Sequence, residues 1–361
     1  MKTDVVVIGA GPAGLVAGER IAQAGFDVLI FEKSEYPGKN KVCGGAVSKE
    51  CFLDLKLPKK IIEKQCNKIE VIFPDQKFQS THKLGFALFQ RELFDKELAK
   101  KATKSGAKLL TSTLITDMKR NDNGLTASFK NLLSSEIGKV KTKIIILADG
   151  VNTLAYKKFG LGCANKPEST SLAATCDLKW SKNPIDSLGF FFSNKISPFG
   201  YGWIFPKKDT INVGVLCLRS KLKQNIWNYL NYFIASQNLN SREVIRSGSR
   251  FMPQGLVEKI FDESLLIVGD AAGTADPIDG GGIYNAAVSG EIAGKVAVKA
   301  LKNKNVTTDF LSKYNTLWQK TGNYKTFQRS YLLQQLALRN DVNIGFFLKK
   351  RGIFDQYLSI G

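Results

Sequence analysis

The segment DVVVIGAGPAG, Asp4 to Gly14, contains the most informative structural pattern of the chain. Its first half is an apolar, β-branched run without alternation, which is typical of a strand buried on both faces. Its second half has the spacing GxGxxG, and an apolar-periodic segment follows it as far as Gly25. A second apolar run, Asp27 to Phe31, ends at Glu32. A strand, a glycine turn, a helix, a second strand and an acid in this order predict a βαβ nucleotide-binding unit.

Each glycine of this motif has its own predicted role at a pyrophosphate. Gly9 allows the tight turn, Gly11 lets the phosphates approach the backbone, and Gly14 lets helix and strand pack closely. Unpaired N–H groups at the helix N-terminus then face the anion. Glu32 is predicted to accept hydrogen bonds from the ribose, and its charge would repel a ribose phosphate. The pattern therefore indicates FAD or NAD rather than NADP.

Length and composition indicate a globular chain with more than one structural unit. The chain has 361 residues, of which 43% are hydrophobic, and this is enough for a large core. Its six cysteines contain no CxxC pair, so neither a metal cluster nor a disulfide framework is indicated, and a reducing compartment is favoured. His82, the single histidine, has no grouped partners, and we expect it on the surface.

The N-terminal apolar run resembles a signal peptide only superficially. Asp4 precedes it, and Gly11 and Pro12 interrupt it, as in a strand that enters a tight turn. The longest uncharged stretch past position 200, Gln224 to Ser241, is rich in Asn and Gln, which a hydrocarbon core excludes. We therefore expect a mature cytoplasmic protein without a membrane span, at most peripheral at the inner membrane face.

The formal net charge of +20 predicts a positive field that attracts anionic partners. Phospholipid headgroups, pyrophosphates, nucleic acid and an acidic redox protein all fit, and a lysine-rich proteome explains the charge equally well. The segment FFLKKRGIFDQYL, Phe346 to Leu358, mixes aromatic residues with three consecutive cations and is the local candidate for a surface contact. A packed terminal helix with a solvated face is the favoured alternative.

Three more segments carry patterns of a nucleotide fold. Residues 91–106, RELFDKELAKKATKSG, repeat apolar residues at helical spacing. Two alternating stretches around Asn121–Gly124 predict strands joined by a turn. TKIIILADG is a buried strand that ends at Asp149 and Gly150, and SLLIVGDAAGTADPIDGGGI repeats the order strand, loop, glycines and helix.

Residues 160 to 260 have a different character. Short strand-like runs between turn residues, such as LGFFFSN and YGWIFPKK, predict an inserted antiparallel sheet. Tyr201, Trp203 and Phe205 alternate and should share one face of a strand, where the pattern alone would make them ordinary core. After Leu301 the pattern is helical to the end of the sequence.

The combination of GAGPAG with Glu32, RELFD, ADG and GDAAGTADPIDGGGI resembles the FAD-dependent flavoprotein group that contains p-hydroxybenzoate hydroxylase. Within that group, KVCGGAVS at Lys41–Ser48 and YGWIFP at Tyr201–Pro206 are similar to the geranylgeranyl reductase family. The resemblance implies an α/β fold with a Rossmann-like FAD-binding domain, an inserted antiparallel-sheet substrate domain and a helical C-terminus. The predicted domains are 1–75, 88–158 and 255–301 for FAD, 76–87 and 159–254 for the substrate sheet, and 302–361 for the C-terminal helical segment.

The resemblance also implies an FAD site residue by residue. A reduced flavin is negative at N1, and a glycine-rich helix N-terminus stabilises that charge. The implied contacts are Gly9, Gly11, Ala13 and Gly14 at the pyrophosphate, Glu32, Lys33 and Leu114 at the adenosine, Arg91 at the phosphates, Val42, Cys43 and Gly44 at the flavin ring, Asp270 at the ribityl chain or phosphate, and Gly282 and Ile283 at the N1 and O2 edge, with Pro12, Asp149, Gly150, Gly269 and Gly281 completing the set.

In this family the KVCGGAVS segment folds against the flavin ring, so Cys43 and Gly44 would touch it, and two glycines let the chain pass close. The Cys43 thiol is well placed as a proton donor, which hydride transfer to an isolated alkene needs. The alternative is that Cys43 is a small packing residue whose backbone alone binds FAD. Ala46 stands where many relatives have glycine, and this departure affects the backbone just after the thiol.

The YGWIFP strand, by the same resemblance, lines the substrate pocket beside the flavin. Aromatic faces suit an apolar polyene and stabilise positive charge that develops on carbon, so Tyr201 and Trp203 join Cys43 as implied catalytic residues. The implied substrate contacts are Phe191, Tyr201, Trp203, Phe205 and Pro206, and Phe190 and Phe192 extend the channel with Phe191.

The predicted function is an FAD-dependent prenyl reductase that saturates isoprenoid C=C bonds of a geranylgeranyl lipid or phospholipid. The predicted partners are that lipid, an electron donor, either reduced ferredoxin or NAD(P)H, and an anionic membrane surface, but not nucleic acid. Alternatives are an aromatic monooxygenase and a quinone-linked electron-transfer flavoprotein, the latter disfavoured because no cysteine follows Cys217. A halogenase and a non-catalytic flavin or lipid carrier are weaker alternatives.

Overall fold

The computed structural model describes residues 1–41, 43–121 and 124–351, apart from the side chain of Lys83. In chain order its strands are β1 (Lys2–Ile8), β2 (Val28–Phe31), β3 (Ala46–Ser48), β4 (Lys64–Ile72), β5 (Lys77–Leu88), β6 (Lys108–Leu110), β7 (Thr113–Asn121), β8 (Gly124–Asn131), β9 (Ile137–Leu147), β10 (Thr170–Lys179), β11 (Ser187–Phe191), β12 (Gly200–Pro206), β13 (Thr210–Leu218), β14 (Val244–Pro253), β15 (Phe261–Asp262) and β16 (Leu265–Ile267). Its α-helices are α1 (Pro12–Gln23), α2 (Lys49–Asp54), α3 (Arg91–Lys104), α4 (Leu154–Phe159), α5 (Ile226–Ser236), α6 (Ile283–Lys302), α7 (Thr308–Leu311), α8 (Lys313–Gln319), α9 (Gly322–Arg339) and α10 (Ile344–Lys350).

The first sheet grows from the predicted βαβ unit. Strand β1 pairs in parallel with β2 and β9, and β6 and β16 extend the sheet on either side. Val5 to Val7 are fully buried, although neighbouring residues of a strand point to opposite faces. The sheet is therefore covered on both faces, as the apolar run without alternation predicts. Because parallel strands end at one edge, the glycine turn, Glu32, Asp149 and Gly269 come together there.

The predicted strands after α3 are confirmed. Strand β7 pairs with β8 from Thr113 opposite Asn131 to Asn121 opposite Gly124, and β8 pairs with β9. The two central residues of the predicted turn, Asp122 and Asn123, lie outside the described residues. Helix α3 itself follows the predicted helical spacing.

The second sheet confirms the predicted antiparallel insertion. Its strand order is β14-β10-β13-β12-β11-β4-β5-β3, and its pairs are antiparallel except for β4 with β11. The sheet takes in more of the N-terminal part than predicted, since β3 and β4 precede residue 76. Strands β4 and β5 form one hairpin, closed where the Phe73 N–H donates to the Gln76 carbonyl oxygen. The predicted boundary at residue 75 therefore cuts through a hairpin whose two strands belong to one sheet.

The two faces of β12 pack against different parts of the molecule. Gly202 faces α5, because the Phe233 ring lies 2.9 Å from the position of a Cβ at Gly202. Tyr201, Trp203 and Phe205 pack together on the opposite face, as their alternation predicts. This second face meets the glycine loop before α6 and the helices α9 and α10, and it positions the site.

The C-terminal part is helical, as predicted, as far as it is described. One amide fixes α9 to the loop before α6, and another fixes the start of α10 to β12 of the second sheet. Gln334 donates to the Pro277 carbonyl oxygen at 3.0 Å, and Asn343 donates to the Gly200 carbonyl oxygen at 2.9 Å. Both helices therefore belong to the walls around the second sheet.

The predicted surface segment Phe346–Leu358 is described only to Arg351. Phe347 and Leu348 are buried, and Lys350 is exposed, so the described half fits a packed helix with a solvated face. No helix among the described residues combines the length and the apolar content that crossing a bilayer requires.

Candidate active site

The glycine turn after β1 is shaped both for packing and for an open ligand position. A Cβ at Gly9 would lie 2.3 Å from the Ala148 carbonyl oxygen, and one at Gly14 would lie 2.0 Å from the Gly9 carbonyl oxygen. Gly9 also has a φ of +101°, which favours glycine. A Cβ at Gly11 would meet no described atom within 4 Å. The fold therefore requires Gly9 and Gly14, whereas the space at Gly11 is open for a ligand.

The Glu32 carboxylate braces this turn from the end of β2. It accepts hydrogen bonds from the N–H of Ala10 at 2.9 Å and of Ser34 at 2.8 Å, and it is only 4% exposed. Carboxylate oxygens have further lone pairs, so Glu32 can still accept from a ribose. Lys33 is exposed beside it, and Leu114 lies in β7, whose first N–H donates to the Glu32 carbonyl oxygen at 2.9 Å. The predicted adenosine contacts thus surround one strand end.

Two cations in this cleft, Lys41 and Arg250, were missed by the sequence reasoning. Arg250 donates to Asp270 at 2.7 Å, and its Nη2 lies 3.8 Å from the position of a Cβ at Gly150. Burial, and then repulsion from Arg250, lowers the pKa of Lys41, while Glu32 acts in the opposite direction. A bound diphosphate would add negative charge beside both cations. In the sequence, Arg250 is a charged residue within the segment that forms β14, and this feature could have indicated a functional role.

Arg91, at the start of α3, is fixed in a buried ion pair. Its Nε and Nη2 donate to the two Asp95 oxygens at 3.2 and 2.9 Å. Burial opposes the charge, but the Asp95 carboxylate counteracts it, and the pKa of Arg91 stays above its ordinary value. Arg91 is therefore a permanent cation, held in place at the start of α3 by Asp95. Its contact with the phosphates remains a prediction.

Asp270 connects the end of β16 with the start of α6. One oxygen accepts from Arg250, and the other lies 3.7 Å from the position of a Cβ at Gly282, the residue before α6. A Cβ at Gly269 would lie 3.1 Å from the Ala13 Cβ, so the first turns of α1 and α6 are close neighbours. No described side chain caps either helix. Both N-termini therefore offer N–H groups to an anion in the cleft.

Asp149 and Gly150 follow β9 at the same edge. Asp149 Oδ2 accepts from the Leu154 N–H at 2.7 Å, whereas Oδ1 is buried and has no partner among the described residues. Burial raises the pKa of Asp149. The Asp149 Cα also lies 3.2 Å from the position of a Cβ at Gly9. A buried acceptor without a donor beside the glycine turn fits a ligand that brings a hydroxyl.

The glycine loop before α6 rests on the aromatic strand β12. The Tyr201 hydroxyl donates to the Asp279 carbonyl oxygen, and a Cβ at Gly280 would lie 2.8 Å from the Tyr201 oxygen. Burial raises the pKa of Tyr201 well above its usual value. The Gly281 N–H donates to the Asp279 side chain at 2.6 Å, and Ile283 begins α6. Tyr201 thus joins the second sheet to the loop that is predicted to hold the flavin edge.

The cysteine segment lies between the nucleotide cleft and the aromatic strand. A Cβ at Gly44 would lie 2.8 Å from the Phe205 ring, so this glycine is required by contact with the aromatic residue. Gly45 has a φ of +71°, and a Cβ there would lie 2.2 Å from a backbone carbonyl oxygen. Cys43 is partly exposed, unlike the other five cysteines, which are buried. Val42 lies outside the described residues.

The aromatic side chains form a row on one face of the second sheet. Ring centroids are 6.1 Å apart from Tyr201 to Trp203 and 6.2 Å apart from Trp203 to Phe205. Phe190 lies 5.5 Å from Tyr201 and 5.3 Å from Phe205, and Phe192 lies 5.7 Å from Tyr201. The row is a continuous aromatic wall between the cysteine segment and the glycine loop.

Two predicted substrate contacts lie on the opposite face. The Phe191 ring packs against Phe233 of α5 at 5.1 Å between centroids, because neighbouring residues of β11 point to opposite faces. Pro206 has the same parity in β12 as Gly202 and therefore shares the side that α5 covers. The prediction of Phe191 and Pro206 as pocket residues is wrong on this geometry, whereas Phe190 lies on the pocket side.

A buried polar network lies beneath the aromatic row. The Trp203 indole N–H donates to Asn212 at 2.7 Å, and Asn212 donates to Asp177 at 2.7 Å. Asp177 pairs with Arg246 at 2.6 Å and with Lys207 at 3.5 Å. Lys207 is 1% exposed, and its ammonium has no hydrogen-bond acceptor among the described residues. In the sequence, Asp177 is a charged residue within the otherwise mostly apolar strand β10, and this feature could have indicated a buried polar network.

A cavity of about 80 Å³ connects this network with the thiol. Its walls include Lys41, Cys43, Thr175, Asp177, Asn212 and Arg246. A polar cavity of this size has room for water beside the sulfur. Cys43 therefore borders an aromatic wall through Gly44 and a polar cavity on another side.

His82 is buried rather than on the surface, where the sequence reasoning placed it. It is 8% exposed, its Nδ1 accepts from the Gly85 N–H at 2.9 Å, and its ring packs against Phe86 at 4.9 Å between centroids. Gly85 has a φ of +78°, which bends β5 and turns its N–H toward the histidine. His82 satisfies the backbone at this bend.

Two family models match the chain. The FAD binding domain matches residues 2–189, and the geranylgeranyl reductase catalytic domain matches residues 174–250, which include the aromatic strand. The cofactor is FAD, and the open space at Gly11, the cations of the cleft and the unpartnered Asp149 oxygen fit it.

Relatives with similar sequences cover most of the chain. A digeranylgeranylglycerophospholipid reductase 1 of Methanosphaera stadtmanae is 35% identical over 87% of this chain and 79% of its own length. A digeranylgeranylglycerophospholipid reductase of Methanocaldococcus jannaschii is 34% identical over 93% of this chain and 85% of its own length.

Solved structures share the fold. A geranylgeranyl bacteriochlorophyll reductase-like protein of Thermoplasma acidophilum is 25% identical, with a TM-score of 0.86 over 96% of this chain and 90% of that chain. A flavin-dependent brominase shares the fold at 18% identity, with a TM-score of 0.77 over 99% of this chain and 100% of that chain. The sequence identity to the reductases and the match of the catalytic model show that the chain belongs to the geranylgeranyl reductase family.

Proposed function

We propose that this enzyme saturates the isoprenoid double bonds of a geranylgeranyl phospholipid. The observation that carries the proposal is the aromatic wall of Tyr201, Trp203 and Phe205, which meets Cys43–Gly44 at one end and the glycine loop before α6 at the other. An apolar polyene fits such a wall, and the two flanking segments are those that the family resemblance assigns to the flavin ring. The names of the relatives supply the phospholipid headgroup.

The residues around the cleft would hold FAD in four groups. The first turns of α1 and α6 would face its phosphates and its flavin edge, and reduced FAD supplies the hydride. The proposed contacts are Gly9, Gly11, Pro12, Ala13 and Gly14 for the diphosphate, Glu32, Lys33 and Leu114 for the adenosine, Lys41, Arg91, Arg250 and Asp270 for the phosphates and ribityl chain, and Cys43, Gly44, Asp149, Gly150, Gly269, Gly281, Gly282 and Ile283 for the remainder.

The proton for the second half of the reaction is assigned to the Cys43 Sγ. Tyr201 is a poor proton donor, because its hydroxyl is held by the Asp279 carbonyl oxygen and burial raises its pKa. The Trp203 N–H is likewise held, by Asn212, so both aromatic residues would act through their ring faces, which stabilise positive charge on carbon. The polar cavity beside Cys43 gives the thiol a route for reprotonation from water.

The electron donor and the location are proposed from charge and thiol state. A net charge of +20 suits an acidic ferredoxin, and NAD(P)H is the other donor that the family resemblance allows. All six cysteines are free thiols, which suits a reducing compartment. We place the enzyme in the cytoplasm, in peripheral contact with the anionic inner face of the membrane.

The reaction class is tested by mass spectrometry of a geranylgeranyl phospholipid after anaerobic incubation with the photoreduced enzyme. We expect the lipid to gain two hydrogens per reduced bond without oxygen. Lipids that stay unchanged across several headgroups would defeat the proposal, and turnover that requires oxygen and an aromatic substrate would favour a monooxygenase.

The thiol is tested with Cys43→Ser and the matched variant Cys66→Ser, which changes a buried cysteine of β4. General acid catalysis contributes roughly a hundredfold or more, so we expect Cys43→Ser to lose that factor in turnover while it binds FAD normally. Cys66→Ser should keep its turnover. Full activity of Cys43→Ser, with FAD bound, would remove the thiol from the mechanism.

A further inference from the structure

Two leucines stand exposed on the outer face of α9. Leu332 and Leu336 are 56% and 45% exposed, and residues four apart lie on one side of a helix. Lys325, Arg329 and Arg339 are also exposed and, at 3.6 residues per turn, project from the same half of the helix. We call these five side chains the α9 face. It combines apolar tips with long cationic side chains.

The α9 face has no acidic neighbour in the sequence. Between Asp309 and Asp341 the chain has five lysines and arginines and no aspartate or glutamate. The ion pairs of the C-terminal helices join Lys349 with Asp75 and Lys221 with Asp341, outside this face. Its charge is therefore free to meet an anionic surface.

The opposite face of α9 borders the aromatic wall. Gln334 and Ala337 are buried and line a small cavity of about 20 Å³ together with Tyr201 and Ile278. Gln334 also holds the loop before α6 through the Pro277 carbonyl oxygen. One helix therefore separates the proposed prenyl pocket from the exposed leucines.

We infer that the α9 face is the surface by which the protein rests on an anionic lipid bilayer. The leucines enter the headgroup region, and the cations lie at the level of the phosphates. An acidic protein partner would match the charge but would leave the leucines without an apolar environment. The inference rests on the proposed function, because it places the membrane that holds the lipid substrate one helix away from the pocket.

The test is flotation of the FAD-loaded protein with vesicles. One set contains equal parts of phosphatidylglycerol and phosphatidylcholine, and the other contains phosphatidylcholine alone. Near an anionic bilayer one cation contributes about fivefold in binding. We therefore expect the double variant Lys325→Gln with Arg329→Gln to bind the anionic vesicles roughly 25-fold more weakly. The double variant Leu332→Ser with Leu336→Ser should lose on the order of tenfold.

Two matched variants separate this face from general attraction. Leu133→Ser with Ile137→Ser changes two apolar residues that are 80% and 74% exposed elsewhere. Lys104→Gln with Lys108→Gln removes the same charge from the end of α3 and from the edge strand β6. Both controls should bind vesicles within twofold of the unchanged protein. Equal losses in the controls and the α9 variants would overturn the inference, and melting curves and flavin absorbance verify that every variant is folded.

Turnover distinguishes a failure of this surface from a failure of the proposed function. We expect the α9 variants to show a raised KM for vesicle-embedded substrate and an unchanged kcat for detergent-dispersed substrate. If the unchanged protein reduces dispersed lipid but does not bind vesicles, only the membrane-binding role of the α9 face is overturned. If it binds vesicles but reduces no prenyl group, only the proposed reductase function is overturned. If the α9 variants bind vesicles normally but their flavin is reduced more slowly by ferredoxin, the α9 face would bind the electron donor, and the bilayer contact would be refuted.

Discussion

Replacing Gly11 with alanine should separate folding from FAD binding. The backbone at Gly11 has φ −83° and ψ 179°, which alanine adopts without strain, and its added methyl would meet no described atom within 4 Å. The apo-protein should therefore gain about 0.4–1 kcal/mol in its free energy of unfolding, because alanine restricts the unfolded chain. In the presence of FAD, the methyl would occupy the space at Gly11 where we propose that the diphosphate binds.

The loss of affinity can be worked out from the contacts that this methyl displaces. A hydrogen bond to a charged group contributes about 1.5–3 kcal/mol, and the field of a helix N-terminus contributes about 0.3–1 kcal/mol to a neighbouring anion. Loss of one such bond and part of the helix field amounts to about 3 kcal/mol, which corresponds to a Kd roughly a hundredfold higher. We expect this increase for Gly11→Ala.

Two measurements check both halves of this prediction. Urea unfolding of the apo-protein gives the change in stability, and titration of FAD fluorescence gives the Kd. Gly14→Ala is the control, because its methyl would lie 2.0 Å from the Gly9 carbonyl oxygen and should cost about 1–3 kcal/mol of stability. An unchanged Kd for Gly11→Ala would show that the open space does not hold the diphosphate, and a destabilised apo-protein would refute the packing argument.

Three other predictions concern the second sheet and the glycine loop. Phe190→Leu should raise the KM for the prenyl substrate several-fold, whereas Phe191→Leu, on the α5 side, should lower the unfolding free energy by about 1 kcal/mol without changing KM. Asp177→Ala should cost about 3–5 kcal/mol in urea unfolding, because it leaves Lys207 and Arg246 buried or half-buried without their counter-charge. Burial, and then repulsion from the neighbouring Asp279, raises the pKa of Asp276. Above the ordinary aspartate pKa of about 4, the unfolded chain therefore binds fewer protons than the native one, and stability should fall as the pH rises through this range. Asp276→Asn should flatten that part of the profile.

Local sequence patterns were sufficient to predict a structural unit when all of its elements are close together in the sequence. The βαβ unit, from Asp4 to Glu32, could be predicted because its strands, turn and helix follow one another within thirty residues. The position of Lys41 and Arg250 could not be predicted in this way. They lie about two hundred residues apart, and only the pairing of β10 with β14 brings Arg250 over Asp270.

Strand parity explains a different kind of error. The three consecutive phenylalanines at Phe190 to Phe192 have no alternation that marks one face, so the pattern does not tell which ring points to the pocket. Pairing of Phe190 with Trp203 across β11 and β12 fixes the parity and sends Phe191 to α5. His82 was misplaced for a related reason, since the bend at Gly85 depends on pairing with β4 and not on the residues of β5 alone.

The aromatic wall is held by polar anchors of two kinds, and this arrangement relates the fold to its proposed chemistry. The Tyr201 hydroxyl is fixed to the loop before α6, and the Trp203 indole is fixed through Asn212 to the buried charge of Asp177. Neither ring can rotate without leaving a buried polar group unpaired, which costs about 1–3 kcal/mol. Phe205 has no polar atom and is held by contact with Gly44 instead. A flexible polyene would therefore meet a wall of fixed shape. One end of this wall contacts the cysteine segment at Gly44, and the other end contacts the glycine loop before α6.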